Sequence, residues 1–498
     1  MIGSIQKIQE KVAFTLWGLF CLLLPFSNMP FVVKMLGSDS VGSPVILVSL
    51  SIVIIWLIPQ VLKNKGFSST WVPLILFLLV ATISVMFSNF LEIPYSRGIE
   101  PIRENFEALA TVIIGATVFL VSSAFPKDKN ALHFTMRMLN WGALFLVIWS
   151  IMQFIAWYGF HEYPKWMFDI QGLLSRRVLF RARISGFALE PSWLANMLNL
   201  VYIPLWLSAT LKKFSSYRFR LFGFTVENFL LATGIFILFF TLSRVGYLAF
   251  FLIMLVVGIW GLKFILHKLE QYLVRRTLKS SDSVERKRLS QRVRFIIVIS
   301  FLVVILLSVI LTALVVVRID QRMARLFDFS LNSNNPILEY FNNLKFGERT
   351  IYWIAGWKIF NDYPLIGVGL GNAGFFMPSR IIPYGWSMIE VRRILYREPY
   401  LLNIKSFWIR LLAETGIVGF SFFFAWYIDL FKRFRIPSMQ KEGIIPVFIL
   451  SGIFTLVAYL VEGFSIDSFA IPYFWVGTGL AISALRAGVQ VTNKRMLQ

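Results

Sequence analysis

The chain has 498 residues, of which 57% are hydrophobic and only 15% charged. A soluble chain of this length needs far more surface charge, so lipid is the solvent this composition fits. The formal net charge of +23 invites a nucleic-acid reading. Most Lys and Arg, however, lie in short segments between apolar runs, the positive-inside distribution of a membrane protein, so the expected partners are membrane lipids and not nucleic acid.

Lys7 and Lys11 precede an apolar run over 12–33. That run is too long for a signal-peptide core and no small-x-small cleavage pattern follows it, so it reads as a retained first span. It holds Cys21, the single cysteine, for which no disulfide is available. A helix needs roughly 20 apolar residues to cross the hydrocarbon core. Runs of that length recur over 44–63, 70–90, 106–125, 138–159, 187–210, 226–242, 245–264, 295–317, 406–430, 443–462 and 468–486. The expected fold is therefore all-α, a polytopic integral membrane protein of about twelve transmembrane helices with one large extracytoplasmic loop.

The basic loops fix the orientation. Lys63 and Lys65, Lys127 to Arg137, Lys212 to Arg220, the 265–294 segment and Lys432 to Arg435 all fall on one side when twelve spans are counted. That side is the cytoplasm, and both termini belong to it. The chain accordingly divides into 1–160 with five helices, 161–317 with four helices and the cytoplasmic loop 265–294, the external loop 318–405, and the last three helices in 406–498.

Four features could carry chemistry, all on the external side of this topology. The first is Arg181-Ala182-Arg183-Ile184-Ser185-Gly186, running into Glu190-Pro191-Ser192. Glu190 is expected within the first turns of a membrane helix, where an ionisable group is costly unless paired or facing water. Arg183 lies two turns earlier if that helix extends back. One reading makes the two an ion pair that fixes the start of the helix; the other makes Glu190 functional, because a proline in the second turn frees backbone groups that usually line a cavity. The second feature is Ser243-Arg244, at a tight outer turn where Arg244 either snorkels to the headgroups or binds substrate. The third is Arg349 with Trp353 and Trp357, followed by Asp362-Tyr363-Pro364-Leu365-Ile366-Gly367-Val368-Gly369-Leu370-Gly371. No strand precedes these glycines, so they are not a dinucleotide fingerprint but a tight loop returning to the membrane. The fourth is Arg410 with Glu414, an i, i+4 pair, with Glu414 about 12 Å into the bilayer at 1.5 Å per residue. Glu414 has either a structural or a substrate-binding role.

The three histidines, His133, His161 and His267, are scattered, so no histidine cluster for a metal is expected. Glu100, Glu104 and Glu107 share a helical face, but Arg97 and Arg103 interleave with them, which makes a cation site there a weak alternative. An arginine-rich site without a metal suits a diphosphate, since guanidinium pairs bidentately with phosphate oxygens.

The pattern from Arg183 to Ala195, the Ser243-Arg244 turn, Arg349 with Trp353 and Pro364 to Gly369, and Leu411-Leu412-Ala413-Glu414-Thr415-Gly416 together resemble the O-antigen ligase and polymerase superfamily. The resemblance covers roughly half the chain. It implies a GT-C-like, metal-independent glycosyltransferase with no cofactor, acting on undecaprenyl-diphosphate-linked oligosaccharide at the outer face of the bacterial plasma membrane. Glu190, Arg183 and Arg349 would then be catalytic, and Arg181, Arg244, Trp353, Arg410 and Glu414 would bind diphosphate or sugar. The family's ligases carry a histidine just before the Glu414 helix; here Ile404-Lys405-Ser406-Phe407 stands at that place. Together with Glu190-Pro191-Ser192, this points to a repeat-unit polymerase of the Wzy type, with a chain-length regulator as a candidate partner. The alternatives are a ligase joining finished polysaccharide to another acceptor, and a lipid-linked oligosaccharide flippase.

Overall fold

The computed structural model describes residues 2–37, 41–64, 69–96, 98–277, 291, parts of 295–318, 347–435 and 442–496. Most of the 265–294 loop's basic residues and positions 319–346 of the large loop lie outside the described residues. The described chain is helical nearly throughout. The strands described in it are one hairpin, β1 (Arg220–Leu221) and β2 (Phe224–Thr225), antiparallel with Arg220 opposite Thr225. Two compact units are distinguished, one of Met1–Ala249 with Glu348–Gln498 and one of Phe250–Gly347.

In the first unit the order begins with α1 (Ile2–Leu23), α2 (Pro30–Leu36), and α3 (Pro44–Ile52), which continues through a π turn into Ile58–Asn64. Next come α4 (Val72–Ser88), α5 (Pro101–Ala124), α6 (Lys129–Phe154), the short α7 (Lys165–Leu174) and α8 (Pro191–Met197). A π turn, Leu198–Tyr202, carries α8 on into Ile203–Leu211, and α9 (Val226–Phe240) and α10 (Arg244–Thr277) come after it. After the second unit come α11 (Gly347–Asp362), α12 (Ala373–Arg380), α13 (Ile389–Tyr396), α14 (Phe407–Arg435), α15 (Ile444–Glu462) and α16 (Pro472–Met496). In the second unit the 250–277 part of α10 lies against the Phe295–Val304 helix, with Gly258 facing the Phe301 ring.

Seven of these helices are long and apolar enough to cross a membrane, and Val72–Ser88, Val226–Phe240 and Phe295–Val304 are shorter apolar helices. This is a polytopic helical membrane protein. The innermost spans are Pro191–Leu211 and Ile444–Glu462, each 89% buried over its apolar window against 39% for Pro44–Lys63. α16 packs along α5 and α15, α14 along α4, and the second half of α8 along α15.

The first helix departs from the run expected over 12–33. It starts at Ile2 and stops at Leu23, because Pro25 and Pro30 interrupt the apolar stretch, and Pro30 instead opens α2. The polar residues between them are buried and bonded: Ser43 Oγ donates to the Phe26 carbonyl, and the Leu189 amide donates to Ser27 Oγ. The seventh and eighth spans separate cleanly between Phe240 and Arg244, through Leu242 at φ 49°.

The segment after Glu348 folds on its own apolar core. Ile351, Tyr352, Ala355 and Ile359 of α11 meet Phe375, Phe376 and Met377 of α12, and Val391 and Ile394 of α13. The glycine-rich loop between α11 and α12 joins this layer to α14.

Candidate functional site

α14 is broken. Gly416 has φ 63°, ψ −169°, inside what would otherwise be one continuous helix, and this conformation is essentially glycine-only. The break frees backbone groups that lipid cannot satisfy, and the loop Pro364–Gly369 satisfies them. Val368 N donates to Ala413 O (3.0 Å) and Gly369 N to Glu414 O (3.0 Å), while Ile417 N donates to Pro364 O (2.8 Å) and Val418 N to Leu365 O (3.2 Å). Ser84 Oγ of α4 lies within reach of both Ile366 O (2.8 Å) and Glu414 O (2.7 Å). Close approach requires glycine here: a Cβ on Gly367 would stand 2.5 Å from the Glu414 carbonyl carbon, and one on Gly371 2.5 Å from the Glu104 carbonyl oxygen. The two motifs of the sequence are therefore one object, a discontinuous helix clasped by a glycine loop.

The first half of α14 carries Arg410 and Glu414. Arg410 Nε donates to Glu414 Oε2 at 2.9 Å, as the i, i+4 spacing anticipates, and its Nη1 donates to Asp467 O at 3.1 Å. The Glu414 side chain is only 4% exposed. Both residues line a cavity of about 1070 Å³, which also gathers Glu190, Arg349, Glu104, Arg177, Arg393 and Lys405 into its wall.

Glu190 is not inside a helix. It is the extended N-cap residue of α8 (φ −139°, ψ 154°), with Pro191 at the first helical position, where proline needs no N–H partner. The expected pairing with Arg183 on one helical face is thus corrected, since residues 175–190 are not helical. The partner is Arg177, whose Nη1 lies 2.5 Å from Glu190 Oε1, while Ser192 Oγ is 3.3 Å from Oε2. Arg183 instead donates from Nε to Thr241 O (3.0 Å), and Ile184 N to Phe240 O (2.9 Å). A guanidinium there meets the negative end of α9. The first and second sequence motifs are joined by this contact, which sets Arg183 beside the turn that leads to Arg244. The cavity wall contains neither of these arginines, nor Arg181, nor Trp353. Trp353 lies just behind the wall, its Nε1 3.5 Å from Lys405 O and its ring 5.5 Å from that of Phe464.

Arg349 of α11 reaches the cavity from the other side. Its Nη1 donates to Ser465 O (3.1 Å) and approaches Ser465 Oγ (3.5 Å), and among the described residues no carboxylate forms a salt bridge with it. The other cations lining the wall are paired: Arg103 with Glu107 at 3.0 Å, Lys405 with Glu390, and Arg393 with Glu398 at 3.4 Å. The first of these pairs takes up a carboxylate of the Glu100, Glu104 and Glu107 face. Among the described residues, no three His, Cys, Asp or Glu side chains form a group that could hold a metal ion.

The sequence reading missed Arg177, Glu390, Arg393 and Lys405. Lys405 takes a left-handed backbone (φ 55°) just before α14, and its ammonium sits 5.1 Å from the centre of the Tyr352 ring. Tyr352 donates to Glu390 Oε1 at 3.3 Å, and burial together with the Glu390 carboxylate pushes its phenol well above the usual range, so it remains a donor.

The fold and this cavity define a helical membrane protein that gathers cations and carboxylates at one site beside a broken span. Residues 229–424 match the family model described as O-antigen ligase. That segment holds Arg244, Arg349, the glycine loop, Arg410 and Glu414, and the match supports the resemblance to the O-antigen ligase and polymerase superfamily that the motifs indicated. No curated protein matches the chain.

Proposed function

We propose that the chain is a repeat-unit polymerase, a GT-C-like glycosyltransferase of about twelve spans. In this reading both termini are cytoplasmic and the cavity opens on the outer face of the plasma membrane. It moves a growing glycan from one polyprenyl diphosphate to the sugar hydroxyl of the next lipid-linked unit. The observation that carries this reading is the cavity wall, which gathers residues from the Glu190, Arg349 and Arg410–Glu414 motifs around one space. Arg349, which among the described residues is held by Ser465 and not by a carboxylate, keeps donors for a diphosphate. Glu190, oriented by Arg177, accepts the proton of the acceptor hydroxyl as that oxygen bonds to the anomeric carbon. The bond from that carbon to the diphosphate oxygen breaks, and its electron pair leaves on the diphosphate, where Arg349 stabilises the charge. Arg183 and Arg244 act from behind this wall, bracing the turn after α9.

Ile404 at the position of the family's ligase histidine, and Glu190-Pro191-Ser192, support polymerase over ligase. The ligase reading keeps its place because the matching family model carries that description. The test is the purified full-length protein with a lipid-linked repeat unit, with and without a separate glycan acceptor. Self-polymerisation without the acceptor is expected; product only with the acceptor would establish the ligase. General-base catalysis contributes about 10²–10⁴-fold, so Glu190→Gln should lose activity on that scale while the protein inserts normally. Glu414→Gln should lower protein yield or thermal stability more than turnover per folded molecule. Near-normal turnover in Glu190→Gln would remove Glu190 as the base.

A further inference from the structure

Glu462, the last residue of α15, is 1% exposed and belongs to none of the sequence motifs. Buried carboxylates in membrane helices are costly and are held by partners of consequence. Its partners come from α8: Asn196 Nδ2 donates to Oε2 at 3.2 Å, and Asn199 Nδ2 donates to Oε1 at 2.8 Å. Asn199 lies in the π turn Leu198–Tyr202, and the same amide group also donates to Gly246 O (2.8 Å), two residues past Arg244. π turns inside helices recur at functional sites because they re-aim a side chain.

The residues just beyond Glu462 are held as specifically. The Ser465 and Ile466 amides both donate to the Glu462 carbonyl, at 2.8 and 3.1 Å. This turn then presents Ser465 O and Oγ to Arg349, and Asp467 O to Arg410. Gly463 O and Ile466 O meanwhile accept from Phe407 N at the start of α14 (2.7 and 3.0 Å). The turn from 463 to 467 is therefore the rest on which Arg349 and Arg410 lie, and Glu462 anchors it to the helix that Glu190 opens.

We infer that Glu462 is a positioning residue, which sets Arg349 and Arg410 in register with Glu190 by pinning the 463–467 turn to Asn196 and Asn199. This rests on the proposed role of Arg349 as the diphosphate anchor. The test uses the full-length protein in detergent and reads two quantities per folded molecule: turnover of a lipid-linked repeat unit, and affinity for farnesyl diphosphate as the probe. Glu462→Ala should weaken the probe and lower turnover by tenfold or more. In combination with Arg349→Lys it should add little further loss, because both act on the same group. Glu462→Gln should recover most of the affinity: among the described residues the Asn196 amide oxygen has no partner, so a flipped Asn196 can receive the new NH₂ group while Asn199 keeps donating to the remaining oxygen. Should Glu462→Ala fail to fold, Glu462→Asp, one methylene short of both amides, carries the same expectation. The control is Glu227→Ala, which removes another fully buried carboxylate, held by Asn140 and the Ser216 amide away from the cavity wall. It should lower stability while leaving probe affinity unchanged.

Wild-type affinity in Glu462→Ala, or fully multiplicative losses with Arg349→Lys, would overturn the positioning role, as would a wild-type protein that fails to bind the probe. A wild-type protein that binds farnesyl diphosphate but does not polymerise would sink the polymerase reading alone, and the variants' affinities would still decide on Glu462.

Discussion

Gly416→Ala is the sharpest perturbation that the fold offers. At φ 63°, ψ −169° the new side chain is strained before it meets anything, a cost of about 1–3 kcal/mol. The Cβ would then lie 2.2 Å from Leu365 O, 2.3 Å from Leu365 C and 2.5 Å from Ile366 N. All three are backbone atoms, held by the four hydrogen bonds that clasp the broken helix, so no side chain can swing aside. Overpacking of this kind adds roughly 1–3 kcal/mol, and each clasp bond that is lost adds about 0.5–1.5 kcal/mol. With one clasp bond lost, these ranges give a total of roughly 2.5–7.5 kcal/mol. Because Glu414 and Arg410 stand on the half-helix just before the break, the damage should reach the cavity as well as the fold. The assay is the apparent unfolding midpoint in one detergent, together with turnover normalised to folded protein. The control is Gly172→Ala in α7, where no atom lies within 4 Å of the added Cβ; there alanine should be neutral or gain up to about 1 kcal/mol. A Gly416→Ala protein matching wild type in both midpoint and turnover would refute the clasp as the element that holds the site.

Arg349→Lys keeps the charge but loses the planar fork, so turnover should fall by about 10² while stability stays close to wild type; removal of a single stabilising donor has effects of this order. Near-normal activity would reduce Arg349 to a diffuse positive field. A topology reporter fused near Tyr340 should read outside and one near Ser283 inside, and finding both on one side would remove the basis for an external active site.

Seven of the expected spans were legible because hydropathy is a bulk property of some twenty residues, and seven helices among the described residues follow it. The failures fall where single residues decide. The 12–33 run counts as apolar although Pro25 and Pro30 divide it, and averaging over a window hides the interruption. Helical periodicity sets Arg183 beside Glu190 but has no meaning in the non-helical stretch 175–190; the partner, Arg177, sits only thirteen residues from Glu190 in sequence, outside the Arg181–Gly186 motif. The dependence of Leu411–Gly416 on Pro364–Gly369 was hidden for a deeper reason. All four bonds that join them run from backbone to backbone, and a backbone bond leaves no residue type to read except the glycines that permit the approach. Those glycines were visible, and the correct inference from them was a tight return to the membrane. What they return to could be known only from the break at Gly416, because a glycine in a helix that will open looks the same in sequence as a glycine in one that stays closed. Ionisable residues are therefore the weaker guide to this site and glycines the stronger: the carboxylates and guanidiniums can exchange partners, whereas the positions that admit no Cβ fix where those charges must stand.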